Sequence, residues 1–380
     1  MIELSDELKM IREQTRRFVE KELIPREEEI ENADNVPDDI VHKLRQLGYF
    51  GIKTPPEYGG LGLGLLGYCI IQMELARTHT SINFLISGNN SIGAMGILYD
   101  GTEAQKKKYL PKLAAGEWIS AFALTEPGAG SDAAAISTRA EKKGDKWVIN
   151  GMKHFITRAD IADVFTVMAL TDKEKKARGG ITAFIVEKGT KGLRIGKPQR
   201  SMGSDTIRQC EVYFDDCEVP EENVIGEVGW GFKVAMKVLE DGRVSQAARA
   251  VGIAKRLLEM STSYAKQRVQ FGKPIAENQA IQWMLADMAT GIHATELMVY
   301  DAAIRKDRGE RLGAIASMAK VFGTEMVGKA ADSALQIHGG MGYMKECRVE
   351  HFYREVRLMR IVEGTSEIQR QIIARELLKD

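Results

Sequence analysis

Cysteine is scarce: the 380 residues hold four, and Cys69, Cys210, Cys217 and Cys347 lie too far apart for a zinc ribbon or a Cys-x-x-Cys redox pair. They are expected to be small buried hydrophobes in a reducing compartment. Charge of one sign is also missing, since 53 Lys plus Arg balance 53 Asp plus Glu. No net field is available to hold nucleic acid or an anionic membrane. The longest nearly apolar run, Leu61 to Ile71, falls far short of the ~20 residues a membrane helix needs. The chain start lacks the basic-then-apolar order of a signal peptide, and Glu3, Asp6 and Glu7 make it too acidic for a transit peptide. A cytoplasmic protein without a membrane span or a nucleic-acid partner is expected. His42, His79, His154, His293, His338 and His351 form no ligand pair at metal spacing, and no Gly-x-Ser-x-Gly elbow occurs. Metal and hydrolytic chemistry are disfavoured, and no metal is expected.

What is present reads as an ordinary globular chain of two or three domains, with 44% apolar and 28% charged residues. The fold class predicted is α+β, in the order α, β, α. Residues 1–116 carry helical patterns, opening with Leu8, Ile11, Phe18 and Val19 at helical spacing. Residues 117–229 carry short strand-like runs, at Val164–Leu170, Ile181–Val186 and Cys210–Phe214. Two further runs flank Asn150-Gly151, a dipeptide that favours the tight turn of a hairpin. An antiparallel β domain follows from this pattern. Residues 230–380 return to long amphipathic helices, with Leu285, Met288, Ile292 and Val299 on one stripe and Leu312 to Gln336 giving another. Such helices predict an antiparallel four-helix bundle.

Gly62-Leu63-Gly64-Leu65-Leu66-Gly67 matches a dinucleotide fingerprint by letter, but a proline pair and Tyr58-Gly59-Gly60 precede it where a strand is needed. A loop leading into a helix is expected there. Thr125-Glu126-Pro127-Gly128-Ala129-Gly130-Ser131-Asp132 carries more information. Its glycines let the backbone approach a ligand, its N–H groups can face an anion, and Thr125 and Ser131 add hydroxyl donors. The alternative for such a composition is a polar turn with a capping Ser or Asp. By itself Gly339-Gly340 reads as a helix C-cap, and Glu363 as a surface carboxylate before a Ser366-x-x-Gln369 capping box.

Taken together these strings resemble the acyl-CoA dehydrogenase family, flavoproteins that oxidise acyl-CoA thioesters. The resemblance runs from Phe122–Asp132 through Asn150-Gly151-x-Lys153-x-Phe155-Ile156-Thr157 to Arg268-x-x-Phe271-Gly272 with Gln279. It resumes at Gln336-Ile337-His338-Gly339-Gly340 and closes with Val362-Glu363-Gly364-Thr365-Ser366-Glu367-Ile368-Gln369-Arg370. The family order is kept over essentially the whole chain. The resemblance implies FAD, with Phe122, Leu124, Thr125, Gly130, Ser131, Phe155 and Thr157 beside the flavin. Phe155 stands where the family has Trp, which keeps an aromatic face but loses the indole N–H. It also implies that Arg268, Gln279, Gln336, Gly339 and Gly340 reach the flavin of a neighbouring subunit, and that Phe271, Thr365 and Glu367 complete the cofactor site. A guanidinium fork at Arg268 suits a pyrophosphate. Ser131, Glu240, Arg243 and Gly364 are implied substrate contacts, and a homotetramer is implied.

Glu363 is the implied catalytic base. Some relatives carry the base on an earlier helix, immediately before an arginine matching Arg243; here that position is Gly242, which has no side chain. The implied reaction is removal of the α proton by Glu363 and of the β hydride by flavin N5, giving a trans-2-enoyl-CoA, with electrons passed to electron-transfer flavoprotein. Burial beside an acyl chain is expected to raise the proton affinity of Glu363. A variant reaction such as enoyl-CoA reduction, a flavin-free acyl-CoA binding module and, more weakly, an oxidase are the alternatives. Glutaryl-CoA enzymes have an arginine near the position of Asn83, so a dicarboxylyl substrate is disfavoured.

Overall fold

The computed structural model describes residues 3–379. Helix α1 (Asp6–Phe18) begins at Ser5, whose hydroxyl accepts from the Leu8 N–H, with Asp6 and Glu7 in the first turn to complement the helix dipole. Phe18 and Val19 are buried, while Leu8 and Ile11 pack partly buried against the same core. Then come α2 (Glu27–Asn32), α3 (Asp38–Gln46), α4 (Gly64–Leu75), α5 (Ser81–Asn90), α6 (Met95–Asp100) and α7 (Glu103–Ala114). The Gly62–Gly67 string is, as expected, a loop entering a helix. The α4 N-terminus is capped by the protein's own Asp307 carboxylate, which accepts from the N–H groups of Leu65 at 2.6 Å and Leu66 at 2.9 Å.

The middle of the chain forms β1 (Ser120–Ala123), β2 (Arg139–Lys143), β3 (Lys146–Thr157), β4 (Val164–Leu170), β5 (Ile181–Glu187), β6 (Leu193–Ile195), β7 (Gln209–Pro220) and β8 (Val224–Ile225). The sheet order is β6-β7-β3-β2-β4-β5-β8, with β1 beside β4. Most pairs are antiparallel, but β1 and β2 each run parallel to β4. The β2–β3 hairpin separates β1 from β4 and acts as the crossover that a parallel pair requires. Asn150-Gly151 is not a hairpin turn: β3 runs straight through it, and Gly144, at φ +67°, turns the chain instead. Gly151 marks a register shift against β7, and a Cβ there would lie 2.6 Å from Thr138 Oγ1.

The remainder is α8 (Gly231–Gln267), the short pair β9 (Val269–Gln270) and β10 (Lys273–Pro274), α9 (Gln279–Asp307), α10 (Ala314–His338), α11 (Arg348–Met359) and α12 (Ser366–Leu377). Helices α8, α9 and α10 pack on one another, α11 and α12 lie on α10, and α4 packs on α8. Met288, Ile292 and Val299 face the interior and Leu285 is half-buried. Cys69, Cys210 and Cys217 are buried, Cys347 is half-buried, and none is bridged. No helix among the described residues is long and apolar enough to cross a membrane.

Candidate active site

Between α11 and α12 the chain makes a tight turn with Glu363 at φ +55° and Gly364 at φ +94°. A non-glycine residue in the left-handed region costs about 1 kcal/mol or more and persists only where its surroundings over-determine it. Here they do. The Lys320 ammonium donates to the Gly364 carbonyl at 2.8 Å, and Gln369 Nε2 donates to the Glu363 and Gly364 carbonyls at 3.1 and 2.9 Å. Gln369 therefore does not serve a capping box with Ser366. The α12 cap is Thr365, whose hydroxyl accepts from the Ile368 N–H.

This turn lays the Glu363 carboxylate against α8. A Cβ at Gly242 would fall on Glu363 Oε2. Gln246 Nε2 donates to Oε1 at 2.9 Å, and Arg249 Nη2 stands 4.0 Å from the same oxygen. Oε2 is buried and has no hydrogen-bond partner among the described residues. Arg243, next to Gly242, is buried with its Nε unpartnered. Glu240 sits one turn back and pairs with Lys306 at 3.6 Å.

A cavity of about 140 Å³ opens beside this turn, between Thr80 and Phe84, Arg249 and Ile253 of α8, Arg354, Glu355 and Arg357 to Met359 of α11, Ile361, Val362 and part of the segment 201–209. Gln209 in its wall is the β7 partner of Thr157, so the end of β3 flanks the same cavity. Asn83 does not face it: its amide donates to the Gln72 carbonyl at 3.0 Å and the side chain is buried against α4.

On the β side, a buried ion pair shapes the glycine loop. Glu126 accepts from Lys153 Nζ at 2.7 Å, the Ser137 N–H at 2.6 Å and the Thr138 N–H at 3.0 Å. Burial works against the charged carboxyl, but Lys153 and the Ser137 bonds outweigh it and bring it to about 2. Lys153 also donates to the Leu124 carbonyl at 3.1 Å, and the His154 N–H to the Thr125 carbonyl at 2.8 Å, tying the loop to β3. Leu124 is buried, Phe122, Thr125 and Thr157 are half-buried, and Gly130 and Ser131 are exposed. Phe155 is 60% exposed at φ +58°, its ring stacked on His154. A Cβ at Gly128 or Gly130 would meet nothing within 4 Å, so the loop backbone is open to a ligand. An open glycine loop, an exposed aromatic ring and flanking hydroxyls fit a flat flavin carrying a diphosphate.

A third group lies at the far end of the bundle. Arg268, Phe271, Gln279, Gln336, Gly339 and Gly340 are all exposed or half-buried, Phe271 being completely exposed. Tyr264 stacks on His338 with ring centroids 4.4 Å apart, which holds the C-terminal ends of α8 and α10 together. Among the described residues, no side-chain hydrogen bond joins these six residues to the Glu363 or Glu126 groups. Glu367 is exposed in the first turn of α12.

The histidines are less scattered than their spacing implies. His79 Nε2 and His351 Nδ1 lie 2.6 and 3.1 Å from Glu31 Oε2, and His351 Nε2 lies 2.9 Å from Glu355 Oε1. Arg348 stands 3.8 Å from Glu31 and supplies positive charge to the cluster, which therefore forms an ion-pair network. Four neighbours within the candidate site were not legible as such in the sequence: Gln246, Arg249, Lys320 and the Glu126 carboxylate. Gly242, Gln246, Arg249 and Ile253 fall on one stripe of α8, and that spacing was the available signal.

Residues 5–117, 121–217 and 229–378 match the N-terminal, middle and C-terminal domains of acyl-CoA dehydrogenases. An acyl-CoA dehydrogenase of Bacillus subtilis is 45% identical over 375 residues, 99% of each chain. A 3-(aryl)acrylate reductase of Clostridium sporogenes is 44% identical, and the CarC subunit of the caffeyl-CoA reductase-Etf complex of Acetobacterium woodii 43%, each over 99% of both chains. The solved butyryl-CoA dehydrogenase of Megasphaera elsdenii superposes over 100% of both chains with a TM-score of 0.96 at 39% identity. With all three domain models matched in order, this chain belongs to the acyl-CoA dehydrogenase family and is an oxidoreductase of that family.

Proposed function

We propose that this chain carries out α,β-dehydrogenation of an acyl-CoA thioester to the trans-2-enoyl-CoA, with Glu363 as the base that takes the α proton. The observation that carries this reading is the Glu363 carboxylate itself, seated on Gly242 with Oε2 buried and unpartnered beside the cavity. A weak carbon acid needs a carboxylate held in place before the substrate arrives. Gln246 orients one oxygen and leaves the other for the substrate. The family is FAD-dependent, and FAD, when bound, supplies the two-electron hydride acceptor for the β carbon. The loop Leu124–Ser131 and Phe155–Thr157 would hold its ring system. Arg268, Phe271, Gln279, Gln336, Gly339 and Gly340 would serve the cofactor of another subunit in a homotetramer, consistent with their accessibility. Electron-transfer flavoprotein is the proposed partner, supported by the Etf complex in which the CarC relative is named.

A second reading, enoyl-CoA reduction with the same residues, is favoured by the two relatives named as reductases. In that direction Glu363 would return a proton to the α carbon. Anaerobic titration of the flavin-loaded protein with saturated acyl-CoAs separates the two. Bleaching of oxidised flavin absorbance is expected for dehydrogenation. Absence of bleaching, with reoxidation of reduced flavin by an enoyl-CoA, would establish reduction instead. Glu363→Gln should retain flavin and thioester binding and lose nearly all turnover. Retained turnover in that variant would move the base elsewhere.

A further inference from the structure

Arg249 has no part in the chemistry just proposed, yet it projects into the cavity beside Glu363. Its side chain is 4% exposed. Nε and Nη1 are buried with no hydrogen-bond partner among the described residues. The guanidinium lies 4.4 Å over the Phe84 ring, which fixes its plane, and its nearest carboxylate oxygen, on Glu363, is too distant at 4.0 Å to be a hydrogen bond. A buried cation with free donors is costly unless an acceptor meets it.

Two of the other charged groups lining the cavity are already engaged. Glu355 accepts from the Thr80 hydroxyl at 2.7 Å and pairs with His351 at 2.9 Å. Arg354 donates to Glu350 at 2.7 Å and to the Met202 carbonyl at 2.9 Å. Arg357, the remaining charged side chain of the wall, is exposed. Apolar side chains such as Ile253, Leu358 and Val362 form much of the remaining wall, together with the polar Ser201, Ser204 and Gln209. The site thus offers a short slot beside the base, bordered by a buried guanidinium whose Nε and Nη1 have no hydrogen-bond partner among the described residues.

Resting on the dehydrogenation reading, we propose that Arg249 receives the distal carboxylate of a short dicarboxylyl-CoA substrate. The guanidinium stands 4.0 Å from the carboxylate of the proposed base, so the acyl group proposed is short. Asn83 supplies no cation for such a carboxylate and faces Gln72; the cation proposed here comes from α8 instead.

The test uses the FAD-loaded protein with butyryl-CoA, succinyl-CoA and glutaryl-CoA, in wild type, Arg249→Gln and Arg249→Lys. The better dicarboxylyl ester should exceed butyryl-CoA in kcat/KM for wild type. That ratio should fall roughly 100-fold or more in Arg249→Gln and partly recover in Arg249→Lys. A wild-type preference for butyryl-CoA, or an equal loss for all three esters in Arg249→Gln, would overturn the proposal. Equilibrium binding of the same esters, read by calorimetry, keeps this separate from the dehydrogenation reading. If no ester bleaches the flavin, that reading fails, while affinity lost only for the dicarboxylyl esters in Arg249→Gln still supports the role of Arg249. Affinity unchanged or lost equally would refute it.

Discussion

The carboxylate of Glu363 rests on the backbone of Gly242, in the space that a side chain at position 242 would fill. The two residues come from different helical regions, and each makes sense only with the other. A glycine in the interior of a helix as long as α8 is normally a cost, on the order of 1 kcal/mol relative to alanine. Here it makes room for the acid.

Gly242→Ala should therefore separate stability from activity. The helix gains propensity, so the melting temperature should hold or rise, by an amount equivalent to at most about 1 kcal/mol. Displacing the carboxylate should lower kcat on the order of 100-fold, with flavin content unchanged. Unchanged kcat would mean that the Glu363 position is not set by Gly242.

Lys320→Met should loosen the turn that holds Glu363 at positive φ, because it removes the ammonium bonded to the Gly364 carbonyl. The expected result is a kcat lowered about 10- to 100-fold with KM little changed, and a stability loss of about 1–3 kcal/mol. Gln369 still bonds the same carbonyl, so the turn should not be lost outright. A stability loss without a change in kcat would limit Lys320 to a structural role.

The His351–Glu355 pair should make stability depend on pH in both directions. Against burial, the Glu355 charge and the Glu31 bond raise His351 above its ordinary 6.5, so its contribution is full below that value and lost as pH rises through the raised one. Against burial, the His351 charge lowers Glu355 from 4.5 to about 2, so its contribution is present above 4.5 and lost as pH falls toward 2. The melting-temperature gap between wild type and His351→Gln should be widest between about pH 4.5 and 6.5 and narrow on either side. A gap independent of pH would show that packing, not charge, is what His351 contributes.

Arg268→Lys tests the accessible group at the end of the bundle. A lysine keeps the charge but loses the two-pronged geometry that suits a pyrophosphate. Flavin retention should weaken about tenfold in dissociation constant, ~1.4 kcal/mol, while the apoprotein melts as before because Arg268 is exposed. Equal flavin affinity in the variant would remove Arg268 from the cofactor site.

The limits of sequence reading can be traced to particular residues. The strands at Val164–Leu170 and Ile181–Glu187 were legible because hydrophobic runs between polar loops carry their own signal. Asn150-Gly151 misled for a local reason: the dipeptide permits a turn, but pairing on both sides of β3 absorbed it as a bulge. His79 and His351 looked unrelated because no spacing rule links residues from separate helical regions.

By itself the sequence determined the family, the order of its three parts, the glycine-rich loop and the identity of the proposed base. Each of these is carried by contiguous residues, or by the order of contiguous strings along the chain. Only the tertiary structure decided which groups surround that base. Gly242, Gln246 and Arg249 reach Glu363 because α8 packs where the turn before α12 returns to it, and Asn83 faces away because α5 presents Phe84 to the cavity. Contacts between distant segments depend on packing, and the packing of a core is a property of the whole chain.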